Sequence, residues 1–228
     1  MKSFFITGTD TGVGKTEVAL ALMAALQERG LRIAGMKPVA AGCVETVDGL
    51  RNDDAVRLQH QSSLPLAYEI VNPYAFAPAI APHLAAVEVG VSIDLALIKS
   101  CYDVLAAQAD VVVVEGVGGL LVPMSEQITL VDLVKVLNLP VVLVVGMRLG
   151  CLNHALLTAE IIGQRGLRFA GWVANGLEPA MDSLAENILT LKRQLPVPFL
   201  GLMPYHAKLS PRNNHSCLNI DALIKHLI

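Results

Sequence analysis

The chain has 228 residues, 54% of them hydrophobic and 16% charged, with a formal net charge of −3. Its longest apolar runs, residues 111–114 and 139–145, fall far short of the ~20 residues a membrane-spanning helix needs, so the apolarity belongs to a buried core. No basic block offers a surface for nucleic acid or anionic membrane, too little apolar sequence follows Lys2 for a signal peptide, and Cys43, Cys101, Cys151 and Cys217 form no CxxC pair, as expected of reduced thiols in a cytoplasmic protein.

In chain order, residues 3–7 read as a strand, 15–29 as an amphipathic helix closed by Gly30, and 31–36 as a strand stopped by Lys37 and Pro38. A long irregular connection follows, with a short helix near residues 54–61 and a proline-rich stretch at 72–82. Next come a helix at 93–108 with Ser92 as its N-cap, a strand at 110–114, a helix at 130–137 and a strand at 141–145. Residues 153–165 predict a helix, 169–174 a strand, 180–194 a helix, 199–202 a short strand, and 221–228 a terminal helix. Strands separated by helix-length segments require right-handed crossovers. The expected fold is therefore α/β, one domain over residues 1–228, with a mostly parallel sheet and helices on both faces. Such sheets bind ligands beyond the carboxyl ends of their strands. Lys37, Glu115, Gly146 and Asn175 each directly follow a predicted strand and should line that edge together.

Residues 8–16, GTDTGVGKT, join the first strand to the first helix. Backbone N–H groups of a glycine-rich loop, with the helix N-terminus, meet phosphate charge without a bulky side chain between. Lys15 would reach the terminal phosphates and the Thr16 hydroxyl would ligate Mg²⁺, so the loop points to ATP or another nucleoside triphosphate. Its spacing departs from the usual phosphate loop, because Thr9 holds the place of the first glycine. Glu115 precedes Gly116, Val117, Gly118 and Gly119 after the most apolar strand; a carboxylate there suits a hard cation, and the glycines let backbone approach phosphate. Mg²⁺ commonly takes a second carboxylate, and nothing local separates Asp53 from Asp54 for that role. Lys37 is either a solvated strand-end charge or a second cation for a reacting anion. Asn175 is either a turn residue or a reader of the adenine edge.

These segments together resemble the dethiobiotin synthetases, ATP-dependent cyclo-ligases of biotin synthesis with a P-loop NTPase fold. The resemblance rests on residues 8–16, Lys37-Pro38-Val39, residues 51–54 (RNDD), 71–74 (VNPY), 81–83 (APH), 114–119 (VEGVGG), 150–154 (GCLNH) and 171–175 (GWVAN), and fades past Lys208. It implies 7,8-diaminononanoate and CO₂ or bicarbonate as substrates, and closure of a ureido ring through a carbamate phosphorylated by ATP. Lys37 matches the active-site lysine, while Lys15 and Thr11 lie where carbamate and γ-phosphate meet. Thr16, Asp54 and Glu115 match the Mg²⁺ positions, which selects Asp54 over Asp53. Implied nucleotide contacts run through Gly12, Val13, Gly14, Lys15, Thr16 and Glu17, then Gly116, Val117 and Gly118. Asn175, Gly176, Pro204, Tyr205 and His206 fall where the family meets adenine. The implied substrate contacts are Thr11, Lys37 and Ala41, with Leu149, Gly150, Cys151 and Asn153 on a segment that holds the substrate tail across a homodimer interface.

Two positions depart from the family pattern: Gly12 stands where a carboxylate is common, and Ala41 where a serine often contacts substrate. The rival readings are a nucleotide-switch ATPase of the partitioning type and a paralogue with altered substrate. The first usually carries a lysine five residues before the phosphate-loop lysine, a place held here by Asp10.

Overall fold

The computed structural model describes residues 3–205 and 215–227, so His206 lies outside the described residues. In chain order the elements are β1 (Phe4–Gly8), α1 (Lys15–Gln27), β2 (Ile33–Met36), β3 (Val39–Ala41), β4 (Val44–Thr46) and β5 (Gly49–Arg51). There follow α2 (Asp53–Gln61), α3 (Tyr68–Val71), β6 (Tyr74–Phe76), α4 (Pro82–Glu88), α5 (Leu95–Gln108), β7 (Val111–Gly119) and α6 (Leu130–Leu137). The remainder comprises β8 (Val141–Met147), α7 (Cys151–Gln164), β9 (Phe169–Gly176), α8 (Leu184–Gln194), β10 (Phe199–Met203) and α9 (Ile220–Leu227).

Six strands make one parallel sheet in the order β10-β9-β8-β1-β7-β2. Alternate residues of each strand enter different cores, because side chains on a strand alternate between faces. Phe4, Ile6, Val111, Val113, Val142 and Val144 pack with the apolar residues of α1. Phe5, Val112 and Val114 pack instead with residues of α5 and α6. A third cluster joins Leu143, Val145, Trp172 and Ala174 to α7 and α8. A strand buried on both faces must be apolar at every position, and this accounts for the unbroken valine runs. Each Val, Leu or Phe so buried contributes roughly 1.5–3 kcal/mol.

Three expectations need correction. β7 does not stop before Glu115 but continues to Gly119, since Ile6 pairs with Glu115 and Gly8 with Gly119. Gly146 and Asn175 are likewise the paired ends of β8 and β9, not residues beyond them. The connection expected to be irregular contains a parallel pair, β3 with β6, and an antiparallel hairpin, β4 with β5. Ser92 is not the cap of α5: Ile93 turns into the core, and Asp94 caps the helix through its carboxylate, which accepts the Ala96 N–H at 2.7 Å. Replacing Asp94 by Ala should lower stability by about 1 kcal/mol in urea unfolding, while Ser92→Ala stays within about 0.5 kcal/mol of the parent.

Candidate active site

The loop between β1 and α1 is held from three directions. Gly14 caps α1 with φ 84°, a left-handed conformation that suits glycine, and a Cβ there would overlap the Asn175 carboxamide. That carboxamide donates from Nδ2 to the Val13 carbonyl at 2.9 Å, so β9 braces the loop from below. On the other side Asp10 accepts the Thr11 N–H at 2.7 Å and the Arg148 guanidinium at 2.6 Å. The Lys15 ammonium donates to the Asp10 carbonyl at 2.9 Å. The Thr11 N–H lowers the Asp10 carboxyl below its ordinary range, and Arg148 adds to the effect against the opposing influence of burial.

This loop forms one wall of a cavity of about 300 Å³. Thr11, Gly12, Gly14, Lys15, Thr16 and Glu17 line it from the loop and α1. Lys37, Ala40 and Ala41 line it from the end of β2 and from β3, and Asn52, Asp54 and Arg57 from α2 and its cap. Glu115, Val117 and Gly118 come from β7. The sequence-predicted Lys15, Lys37, Thr16, Asp54 and Glu115 thus share one concavity. Gly12 is exposed beside it, with open space where a side chain would stand.

Lys37 is only 4% exposed, and its ammonium lies between two carboxylates, 3.0 Å from Asp54 Oδ2 and 2.5 Å from Glu115 Oε1. Burial alone would lower its pKa, but the attraction of Glu115 and Asp54 outweighs this and holds it above the ordinary lysine value. Burial pushes the Glu115 carboxyl up, and the Lys37 ammonium pulls it back. Lys15 is 6% exposed and, among the described residues, has no carboxylate at hydrogen-bond distance. Burial, and then the repulsion of Lys37, lower its pKa to about 8. Two ammonium groups therefore face one cavity, one paired with carboxylates and the other held by a peptide carbonyl.

The Thr16 hydroxyl donates to Glu115 Oε1 at 3.0 Å. Glu115 Oε2 is buried with no hydrogen-bond partner among the described residues. No group of three or more His, Cys, Asp or Glu side chains gathers for a metal among the described residues. The set of two carboxylates, a hydroxyl and one unsatisfied carboxylate oxygen fits Mg²⁺, which takes few protein oxygens and fills its octahedron with phosphate and water.

Other expected residues lie apart from the cavity. Asn175, Gly176, Pro204 and Tyr205 cluster behind the loop, where Tyr205 is 40% exposed and a Cβ on Gly176 would meet its backbone nitrogen. Leu149 and Gly150 lie on the β8–α7 turn and Cys151 and Asn153 in the first turn of α7, and none of them lines the cavity; Leu149 is 98% exposed and Cys151 is buried. Three cavity residues, Ala40, Asn52 and Arg57, are not marked by the sequence pattern. Asn52 caps α2 by accepting the Ala55 N–H, and Arg57 pairs with Glu17 at 2.6 Å. The helical spacing of Arg57 from Asp54, three residues, was the available signal.

The sequence pattern of the AAA domain family matches residues 2–213. An ATP-dependent dethiobiotin synthetase of Pseudomonas aeruginosa is 55% identical over 212 residues, covering 92% of this chain and 93% of that protein. The chain belongs to the dethiobiotin synthetase family. A synthetase of the same description from Xylella fastidiosa is 49% identical and covers 90% of this chain and 91% of its own length. Among solved structures, the MinC:MinD cell division complex of Aquifex aeolicus superposes with a TM-score of 0.57 at 16% identity, over 100% of this chain and 94% of that one. The septum site-determining protein MinD of Pyrococcus horikoshii gives 0.54 at 15% identity, over 99% and 94% of the two chains. At such identities the likeness shows a shared fold alone.

Gly14→Ala, which meets both the left-handed φ and the Asn175 carboxamide, should weaken ADP affinity at least about tenfold by titration calorimetry, the loss a misplaced phosphate donor brings. The depressed Asp10 carboxyl stabilises the folded chain above about pH 4, and this contribution is lost as pH falls through the lowered value. The stability gap between the chain and its Asp10→Asn variant, measured by urea unfolding, should therefore shrink on acidification below about pH 4.

Proposed function

We propose that this chain closes the ureido ring of dethiobiotin from 7,8-diaminononanoate and CO₂, converting ATP to ADP and phosphate. The observation that carries the reading is the pair of buried ammonium groups, Lys15 and Lys37, facing one cavity beside a glycine-rich loop. A triphosphate and a carbamate are both anions, and their approach needs positive charge on both sides. The family membership supplies the substrates.

One amine adds to CO₂ and gives up a proton, forming a carbamate. A carbamate oxygen attacks the γ-phosphorus and ADP leaves, giving a carbamic-phosphoric anhydride. The second amine attacks the carbonyl carbon and gives up a proton, and the carbon–oxygen bond to phosphate breaks, releasing phosphate. Phosphoryl transfer asks the protein for alignment and charge neutralisation more than for covalent work. Lys15 and the loop N–H groups hold the β- and γ-phosphates, and Lys37 with Thr11 holds the carbamate in line. Thr16, Asp54 and Glu115 would hold Mg²⁺, which when bound screens the phosphate oxygens. Asn175, with Gly176, Pro204 and Tyr205, is proposed to receive the adenine. No nucleophilic side chain is required, so buried Cys151 serves packing.

The substrate tail is assigned to Leu149, Gly150 and Asn153 of a second copy in a homodimer; the near-complete exposure of Leu149 beside an Arg148-tethered turn supports this. The proposed setting is the cytoplasm, and among the described residues no helix is long and apolar enough to cross a membrane.

The test mixes the protein with MgATP, bicarbonate and the diamine and looks for dethiobiotin by mass spectrometry. ATP hydrolysis without ureido product would sink the proposal. Lys37→Gln should lower kcat by about 10²–10³, the usual loss when one preorganised charge at a transition state is removed.

A further inference from the structure

We propose that Tyr68 is a positioning residue whose buried hydroxyl fixes Lys37 against Asp54. The inference rests on the function proposed above, in which those two side chains act together.

Tyr68 lies on α3, outside the cavity lining, and is 5% exposed. Its hydroxyl accepts the Asn52 N–H at 2.8 Å and donates to Asn72 Oδ1 at 2.9 Å. Asn72, 3% exposed, passes the connection on by donating from Nδ2 to the Lys37 carbonyl at 2.6 Å. The Lys37 N–H in turn donates to the Val71 carbonyl at 2.9 Å, so both polar groups of the Lys37 backbone are held by one short segment. In the other direction, Asn52 caps the helix that presents Asp54, and Asp54 pairs with the Lys37 ammonium at 3.0 Å. The bonds close into a ring: ammonium, Asp54, α2, Asn52, Tyr68, Asn72, Lys37 backbone.

The ring is needed because β2 ends at Met36 and Pro38 has no N–H to extend the strand. The sheet therefore leaves Lys37 where it must be most exact. Tyr68 suits the joint, since one hydroxyl both accepts and donates and its ring is clamped beneath the Arg51 guanidinium at 4.1 Å. Phenylalanine would keep the packing and delete the link. A supporting hydrogen bond of this kind acts on activity through the residues it orients.

Tyr68→Phe should lower kcat for dethiobiotin formation about 10-fold or more while the KM values for ATP and diamine change less than about threefold. Without turnover, the gain in ADP affinity on adding Mg²⁺ should fall by a similar factor in calorimetry. Asn72→Asp keeps the acceptor for Tyr68 but loses the donor to Lys37, and should repeat the pattern. Leu191→Ala, in the remote core beneath α8, calibrates the effect of lost stability alone. The proposal is overturned if Tyr68→Phe keeps the parent kcat, if KM changes in place of kcat, or if its losses only track the folded fraction as in Leu191→Ala. Absence of product from the parent chain would refute the proposed reaction instead, and the Mg²⁺-dependent ADP affinity would still decide the role of Tyr68.

Discussion

The site is organised around the doubly paired ammonium of Lys37. Lys37 brings a full charge into an interior where an isolated charge is prohibitively unfavourable, and Asp54 and Glu115 compensate it from opposite sides. Removing one partner of such a group costs about 3–5 kcal/mol, because the remaining charges stay buried. The two carboxylates arrive by different routes. Glu115 is carried in by the central sheet, in register with Ile6 of β1, whereas Asp54 rides on a short helix outside the sheet. The rigid part of the fold thus sets one side of the site, and a separately capped helix sets the other.

The long elements were legible because their burial is uniform. Runs such as residues 111–114 and 141–145 are too short to span a membrane and so belong to a buried sheet, and α6 has its expected limits, with Thr129 and Asp132 forming a capping box. The three-residue strands β3 and β6 carried no such signal, since so few residues show no periodicity and their pairing is decided by distant chain. The end of β7 was misplaced for a related reason. Glycine commonly weakens a strand, yet β7 runs on through Gly116, where only glycine fits because a side chain would strike Phe5 and Leu130.

At the site, residue identity was legible and connection was not. Lys15, Lys37, Thr16 and Glu115 stand out by type and by position near strand ends, whereas only the family resemblance separates Asp54 from Asp53. That Lys37 is doubly paired with carboxylates while Lys15 rests on a peptide carbonyl depends on packing across many residues, which local pattern cannot carry. The sequence leaves Asn175 as a reader of the base or a turn residue; its part as a brace under Val13 depends on the assembled sheet.

The bonds that shape the phosphate loop span the chain: Thr16 to Glu115 is 99 residues, Asp10 to Arg148 is 138, and Val13 to Asn175 is 162. Contacts of such separation carry a high loop-closure entropy and form late in folding. During synthesis the loop is among the first segments made, but its last brace is delivered only when β9 emerges and adds to the sheet. Nucleotide affinity is therefore a property of the finished chain, and the gain of tight ADP binding during refolding would time the docking of the second half of the sheet onto the first.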